Sequence, residues 1–328
     1  MTLALPSGYH VRAPTLEDIP AIYSLLAACD IADFGEVDST EAELRAEWQS
    51  PGFDLTRDAW DVALPDGSII AHADVYDTRH GPLYASIFVH PDQRGHGIGA
   101  FLLRRVEERA RACIATAPDG ALVTLNGGMS HYNDGSRRFA DRAGYRLIRS
   151  YWRMAIDLDA ARSIPEPRWP DGIALRTFIR GQDEQVIYSA AEEAFEDHWG
   201  HVPQPYDEWL QWMDRPDFDP SLWFMAMDGD QIAGAAQCRV RLDNGWIGRL
   251  SVRRLYRQRG LGTALLLHAF REFQRRGYHR VALGVDSQNL TGATRLYEQV
   301  GMRVTRQFDS YRKVLRPGED LTVQSLLA

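Results

Sequence analysis

Two short stretches of this 328-residue chain carry residue types suited to holding a charged ligand. "RGHGIGAFLL" (94–103) and "RQRGLGTALL" (257–266) each set two closely spaced glycines between a strand-like run and an amphipathic, helix-like one. The first turn of a helix has backbone N–H groups without intrahelical partners and about half a positive charge. Glycines there let an anion reach the backbone where a Cβ would block it, and phosphate or pyrophosphate is the natural occupant. The pattern lacks the Lys-Ser/Thr that follows a P-loop, and its spacing is not GxGxxG. Glu192, Glu193 and Asp197 fall near the end of a helical segment, as candidate proton acceptors or as solvated surface charges. His198 and His201 stand close together, but no third ligand follows, so no metal is expected.

The elements that must position these residues come in two copies. The second glycine pair lies 163 residues after the first (94 to 257), and at that offset "LYASIFVHPDQ" (83–93) falls on "WIGRLSVRRLY" (246–256) without a gap. Each copy reads as a strand, a short turn, the glycine pair and an amphipathic helix. Leu102, Val106 and Ala110 recur at helical spacing in one, and Leu266, Phe270 and Phe273 in the other. A short apolar strand follows each helix (121–125 and 280–285), then a helical segment ending in glycine, "RFADRAGY" (138–145) or "RLYEQVGM" (295–302). Segments 60–77 and 223–240 read as hairpins turning at PDG and DGD. The proline-rich stretch 161–172 reads as a linker, giving two similar α/β modules at 1–160 and 161–328.

Composition excludes several classes. A net charge of −8 argues against nucleic acid, whose phosphates call for concentrated positive charge. No apolar run approaches the ~20 residues of a membrane helix, and the N-terminus lacks the pattern of a signal peptide, so a cytoplasmic location is expected. Cys29, Cys113 and Cys238 are odd in number and far apart, and read as small buried hydrophobes.

Arg94–Gly97–Gly99 and Arg257–Gly260–Gly262 match Q/R-x-x-G-x-G/A, and here the chain resembles the GNAT acetyltransferase superfamily in its acyl-CoA pyrophosphate loop. A further match, Gln231–Gly234–Ala236, falls inside a hairpin strand, where the motif has no phosphate to meet. "LGVDSQNLTGATRLYEQVGM" (283–302) is similar to the superfamily's strand–Asn–Tyr signature. The resemblance covers nearly the whole chain as a tandem pair, the arrangement of mycothiol synthase-like proteins. It implies two GNAT-fold modules, each a mixed, mostly antiparallel sheet flanked by helices, and an acetyl-CoA (or CoA) ligand. By position it assigns that ligand to the backbone of Leu250, Ser251 and Val252, to the loop Arg257, Gln258, Arg259, Gly260, Leu261, Gly262 and Thr263, and to Asn289. In the first copy the corresponding positions are Val89, Arg94, Gly95, Gly97, Gly99 and Ala100.

The same resemblance makes Tyr297 the acid that protonates the departing thiolate. The first copy aligns Ala140 with it, so that module is expected to be degenerate. The strand position of the superfamily's glutamate falls near Trp246–Gly248, where there is no carboxylate; Glu193 stands as a base candidate, or deprotonation runs through water. Trp209 and Trp212 read as a helix's buried stripe, or Trp209 as part of an acceptor wall. The expected activity is acetyl transfer to the primary amine of a small molecule in the C-terminal module. Mycothiol synthase-like acetylation of a cysteinyl pseudodisaccharide and non-catalytic acyl-CoA sensing are the alternatives.

Overall fold

A computed structural model describes every residue except 1–4, 6, 7, 78–80, 160–162, 197, 198, 200, 202, 216, 290, 291 and 322–328. The first part of the chain forms β1 (His10–Arg12), α1 (Ile19–Phe34), α2 (Glu41–Trp48), α3 (Leu55–Asp58), β2 (Ala59–Ala63), β3 (Ile69–Asp77), β4 (Pro82–Val89), α4 (Ile98–Ala112), β5 (Val123–Ser130), α5 (Asp134–Arg142) and β6 (Arg146–Asp157). The second forms β7 (Ile173–Thr177), α6 (Glu184–Phe195), α7 (Tyr206–Leu210), β8 (Trp223–Asp228), β9 (Gln231–Arg241), β10 (Asn244–Val252), α8 (Leu261–Arg275), β11 (Arg280–Asp286), α9 (Ala293–Gln299) and β12 (Arg303–Arg316).

Two compact units result. Among the described residues, one comprises those up to Ser150 with Gln307–Leu321 and the other Tyr151–Arg306. This division departs from a boundary at 160/161, because β12 supplies a strand to the first unit and β6 to the second. Strand order is β1-β2-β3-β4-β5-β12 in the first unit and β6-β11-β10-β9-β8-β7 in the second. In each sheet one pair is parallel, β4 with β5 and β10 with β11, and the other pairs are antiparallel. The expected mixed, mostly antiparallel sheet flanked by helices is therefore present. So are both hairpins, β2–β3 and β8–β9.

The helix after each glycine turn anchors its unit. On α8 the apolar residues sit at 3.6-residue spacing, and Leu265, Leu266, Phe270 and Phe273 are fully buried against Ala236, Ile247, Val281 and Leu283. Full burial of one phenylalanine contributes ~1.5–3 kcal/mol. The helix ends where Tyr278 N donates to Phe273 O across Gly277, whose φ of +85° stops it. In the first unit Leu102, Val106 and Ala110 of α4 do the same against Val75, Leu83 and Leu125. All three cysteines are free and buried. Among the described residues no helix is long and apolar enough to cross a membrane.

Candidate active site

The site in the second unit begins where β10 and β11 part. Their parallel register runs from Gly245↔Val281 to Ile247↔Leu283 and stops there, although β10 continues to Val252 and β11 to Asp286. Beyond that point β10 stays paired with β9, from Arg249↔Gln237 to Val252↔Gly234. Among the described residues its other edge has no strand partner, so the backbone of Leu250–Val252 can pair with an extended ligand as a strand would. Between Ile247 and Arg249 the register with β9 shifts, a bulge at Gly248. An extra residue turns the following side chains to the opposite face. Ile247 therefore packs toward α8, while Arg249 meets α6.

The chain then enters the glycine turn. Gln258 takes a φ of +62° and Gly260 one of +81°, and Gly260 is the N-cap of α8. Among the described residues no side chain caps this helix, so the N–H groups of Leu261, Gly262 and Thr263 have no intrahelical partner and are available to an anion. A Cβ built on Gly260 would meet nothing within 4 Å, which leaves approach to those donors clear. Arg257 braces the loop: its Nε donates to Val252 O (3.3 Å) and its Nη2 to Ala194 O (3.2 Å). These contacts give Arg257 a positioning role in the loop.

Tyr297 lies on α9, which adjoins the same turn. A Cβ on Gly262 would stand 3.0 Å from Leu296 Cδ2, so α9 is packed onto the first turn of α8. Tyr297 is 8% exposed, and burial alone pushes its phenol up to about 12. Among the described residues nothing hydrogen-bonds its hydroxyl. Asn289 follows β11, its N–H bonded to Asp286 O (3.0 Å).

The first unit repeats the frame. β4 and β5 part after Ala85↔Gly127, Gly97 (φ +83°) is the uncapped N-cap of α4, and Arg94 Nε donates to Val89 O at 3.3 Å. Met302 N donates to Tyr297 O, and Tyr145 N to Ala140 O, both at 3.0 Å, before Gly301 and Gly144 with φ of +90° and +84°. Ala140 therefore occupies the place of Tyr297. Sequence reading missed Asp33, at the end of α1. Arg94 Nη1 is 2.9 Å from its carboxylate, Asn133 Nδ2 reaches both its oxygens at 3.1 Å, and Ser130 Oγ donates to its backbone O (3.3 Å). The end of β5 is thereby tied to α1, and the Asp33 carboxylate neutralises the Arg94 guanidinium at the turn.

The remaining candidates separate cleanly. Glu193 is bonded to Arg253 Nε (2.6 Å), a pairing that occupies it. Glu192, one residue earlier, faces Arg249 and His201. Asp197 and His198 lie outside the described residues. Trp209 is 3% exposed, with ring centroids 5.4 Å from Tyr188 and 6.1 Å from Trp223. It fills a core and has no face to offer an acceptor, which corrects the acceptor-wall reading. Among the described residues no cluster of three His, Cys, Asp or Glu could hold a metal.

Residues 19–145 and 185–302 both match the model of the acetyltransferase (GNAT) family. The chain belongs to that family, as a tandem pair, and is an acetyltransferase of the class that draws its acyl group from a CoA thioester. It is 31% identical over 294 residues to the mycothiol acetyltransferase of Geodermatophilus obscurus, covering 86% of this chain and 90% of that one. A GCN5-related N-acetyltransferase from Sphaerobacter thermophilus superposes with a TM-score of 0.83 at 38% identity, covering 97% of this chain and 99% of the other. A tandem GNAT protein from the clavulanic acid biosynthesis pathway shares the fold at 16% identity, with a TM-score of 0.73 over 95% of this chain and all of that one.

Proposed function

We propose that the protein transfers the acetyl group of acetyl-CoA to the primary amine of a small molecule, and that the second unit performs the chemistry. The observation that carries this reading is Tyr297, a buried and protonated phenol beside the glycine turn, where the first unit has Ala140. An alanine cannot supply a proton. Acetyl-CoA, when bound, supplies an activated acyl thioester.

The residues present fit that ligand. The N–H groups of Leu261–Thr263 and the open face of Gly260 suit its pyrophosphate. The unpaired edge of Leu250–Val252 suits the amides of its pantetheine arm, with Asn289 nearby, and a strand N–H there can stabilise developing oxyanion charge by ~3–4 kcal/mol. Tyr297 donates its proton to the departing thiolate. In the first unit Asp33 neutralises the Arg94 guanidinium at the turn and so leaves less positive charge for an anionic ligand, which supports a structural role for that half. A net charge of −8 favours cationic acceptors in a general way.

A second reading has one specific observation in its favour, the resemblance over 86% of the chain to a mycothiol acetyltransferase. Under it the acceptor is a cysteinyl pseudodisaccharide amine. A thiol-release assay with acetyl-CoA and a panel of small amines, a cysteinyl amino-sugar among them, tests both. Release of CoA on adding one class of amine identifies the acceptor. Tight acetyl-CoA binding without release for any amine would replace the enzyme reading with a sensing one.

A further inference from the structure

The bulge at Gly248 delivers Arg249 to the α6 side of the sheet, and what it meets there is incomplete. Its guanidinium stands 5.0 Å from the Phe195 ring centroid, and Nη1 is 3.8 Å from Glu192 Oε1. That distance is beyond a hydrogen bond. Arg249 Nη1 and Glu192 Oε1 are both buried, and among the described residues neither has a hydrogen-bond partner. Burial lowers the pKa of Arg249 from its ordinary value even with Glu192 close by. Neighbouring groups are already committed: His201 Nε2 holds the other oxygen of Glu192 (3.1 Å), and the Tyr188 hydroxyl donates to Gln204 O (2.6 Å). An ion pair with one unsatisfied donor and one unsatisfied acceptor thus joins α6 to β10, the strand that runs directly into Leu250–Val252.

Buried donors and acceptors without a hydrogen bond are costly, and a ligand carrying the complementary charges in the same order relieves both. We infer that the acceptor amine also bears a carboxylate, as an α-amino acid does, with that carboxylate bound by Arg249 and the ammonium received by Glu192. This rests on the N-acetyltransferase reading and narrows its substrate class. Arg249 is then the residue that sets specificity: a guanidinium binds a carboxylate in a planar fork, which a neutral side chain cannot reproduce.

The test pairs amino acids with their decarboxylated amines: L-alanine with ethylamine, L-leucine with isoamylamine, L-phenylalanine with phenethylamine. CoA release and ligand-induced melting shifts are measured on the full chain. The expected result is a preference for an acid over its amine of at least about a hundredfold in kcat/KM, as for a site with polar groups left unpaired by the wrong ligand. Arg249→Met should collapse that ratio to within a few-fold, and Arg249→Lys should restore part of it. Equal use of acid and amine by the wild type, or a preference that survives Arg249→Met, overturns the inference while the acetyltransferase reading stands. An acid-induced melting shift abolished by Arg249→Met, without CoA release, upholds the carboxylate site and defeats the reading of function. An absence of both turnover and melting shift with every acid overturns the inference.

Discussion

A methyl group placed at either glycine turn separates folding from ligand binding. Gly260 and Gly97 have nearly the same backbone, with φ of +81° and +83°, and a Cβ at either meets nothing within 4 Å. Gly260→Ala and Gly97→Ala should therefore carry the same stability cost, that of an L-residue in the left-handed region, ~1–2 kcal/mol. For units of roughly 160 residues each kcal/mol lowers the melting temperature by ~2–4 °C. Their effects on binding should differ. At Gly260 the methyl occupies the open approach to the N–H groups of Leu261–Thr263, and loss of one charge-assisted hydrogen bond costs ~1.5–3 kcal/mol, or ~10–150-fold in acetyl-CoA affinity. At Gly97 the Arg94–Asp33 pair already stands at the turn, so activity should stay within about twofold of wild type. Calorimetry with acetyl-CoA, thermal melting and CoA-thiol release measure the three quantities. If folded Gly97→Ala loses as much activity as Gly260→Ala, or if Gly260→Ala binds acetyl-CoA as tightly as wild type, the division of labour between the units is wrong.

Tyr297→Phe should lower kcat ~100-fold or more with little change in acetyl-CoA affinity, as expected for loss of a general acid; since the hydroxyl has no hydrogen-bond partner among the described residues, melting should barely move. The buried His72 lies between Asp61 (2.8 Å) and Asp74 (3.3 Å); burial alone would lower its pKa, but those hydrogen bonds raise it to about 9. Its contribution, up to about 3 kcal/mol, is complete below the unfolded value of ~6.5 and is lost as pH rises through about 9, so melting of the first unit should fall across that window and His72→Gln should flatten the dependence. Trp209→Ala should destabilise the second unit by ~3–5 kcal/mol as a core cavity, whereas Trp212→Ala, at a side chain 45% exposed, should shift melting only slightly.

Whether a feature could be read in the sequence depended on how far apart its parts lie along the chain. The glycine turn is local, since strand, αL glycine and helix follow one another within about ten residues. Both copies announce themselves, as does the substitution of Ala140 for Tyr297. Strand partners are a different matter. Residues 146–157 and 303–316 carry strand composition, but composition does not say that the last strand of each unit comes from the other half of the chain. Arg249 shows the limit most sharply. Strict alternation puts residues 247 and 249 on one face, and only a bulge fixed by pairing with β9 sends Arg249 to meet Glu192, 57 positions earlier. Asp33 reaches Asn133 across 100 positions, where α1 meets the turn after β5. The proposed donor end of the site is thus built from backbone and glycines, which a motif can record. The proposed acceptor end is built from side chains that meet only through sheet register, so on this proposal substrate choice can change by a one-residue shift in β10 while every glycine of the turn stays in place.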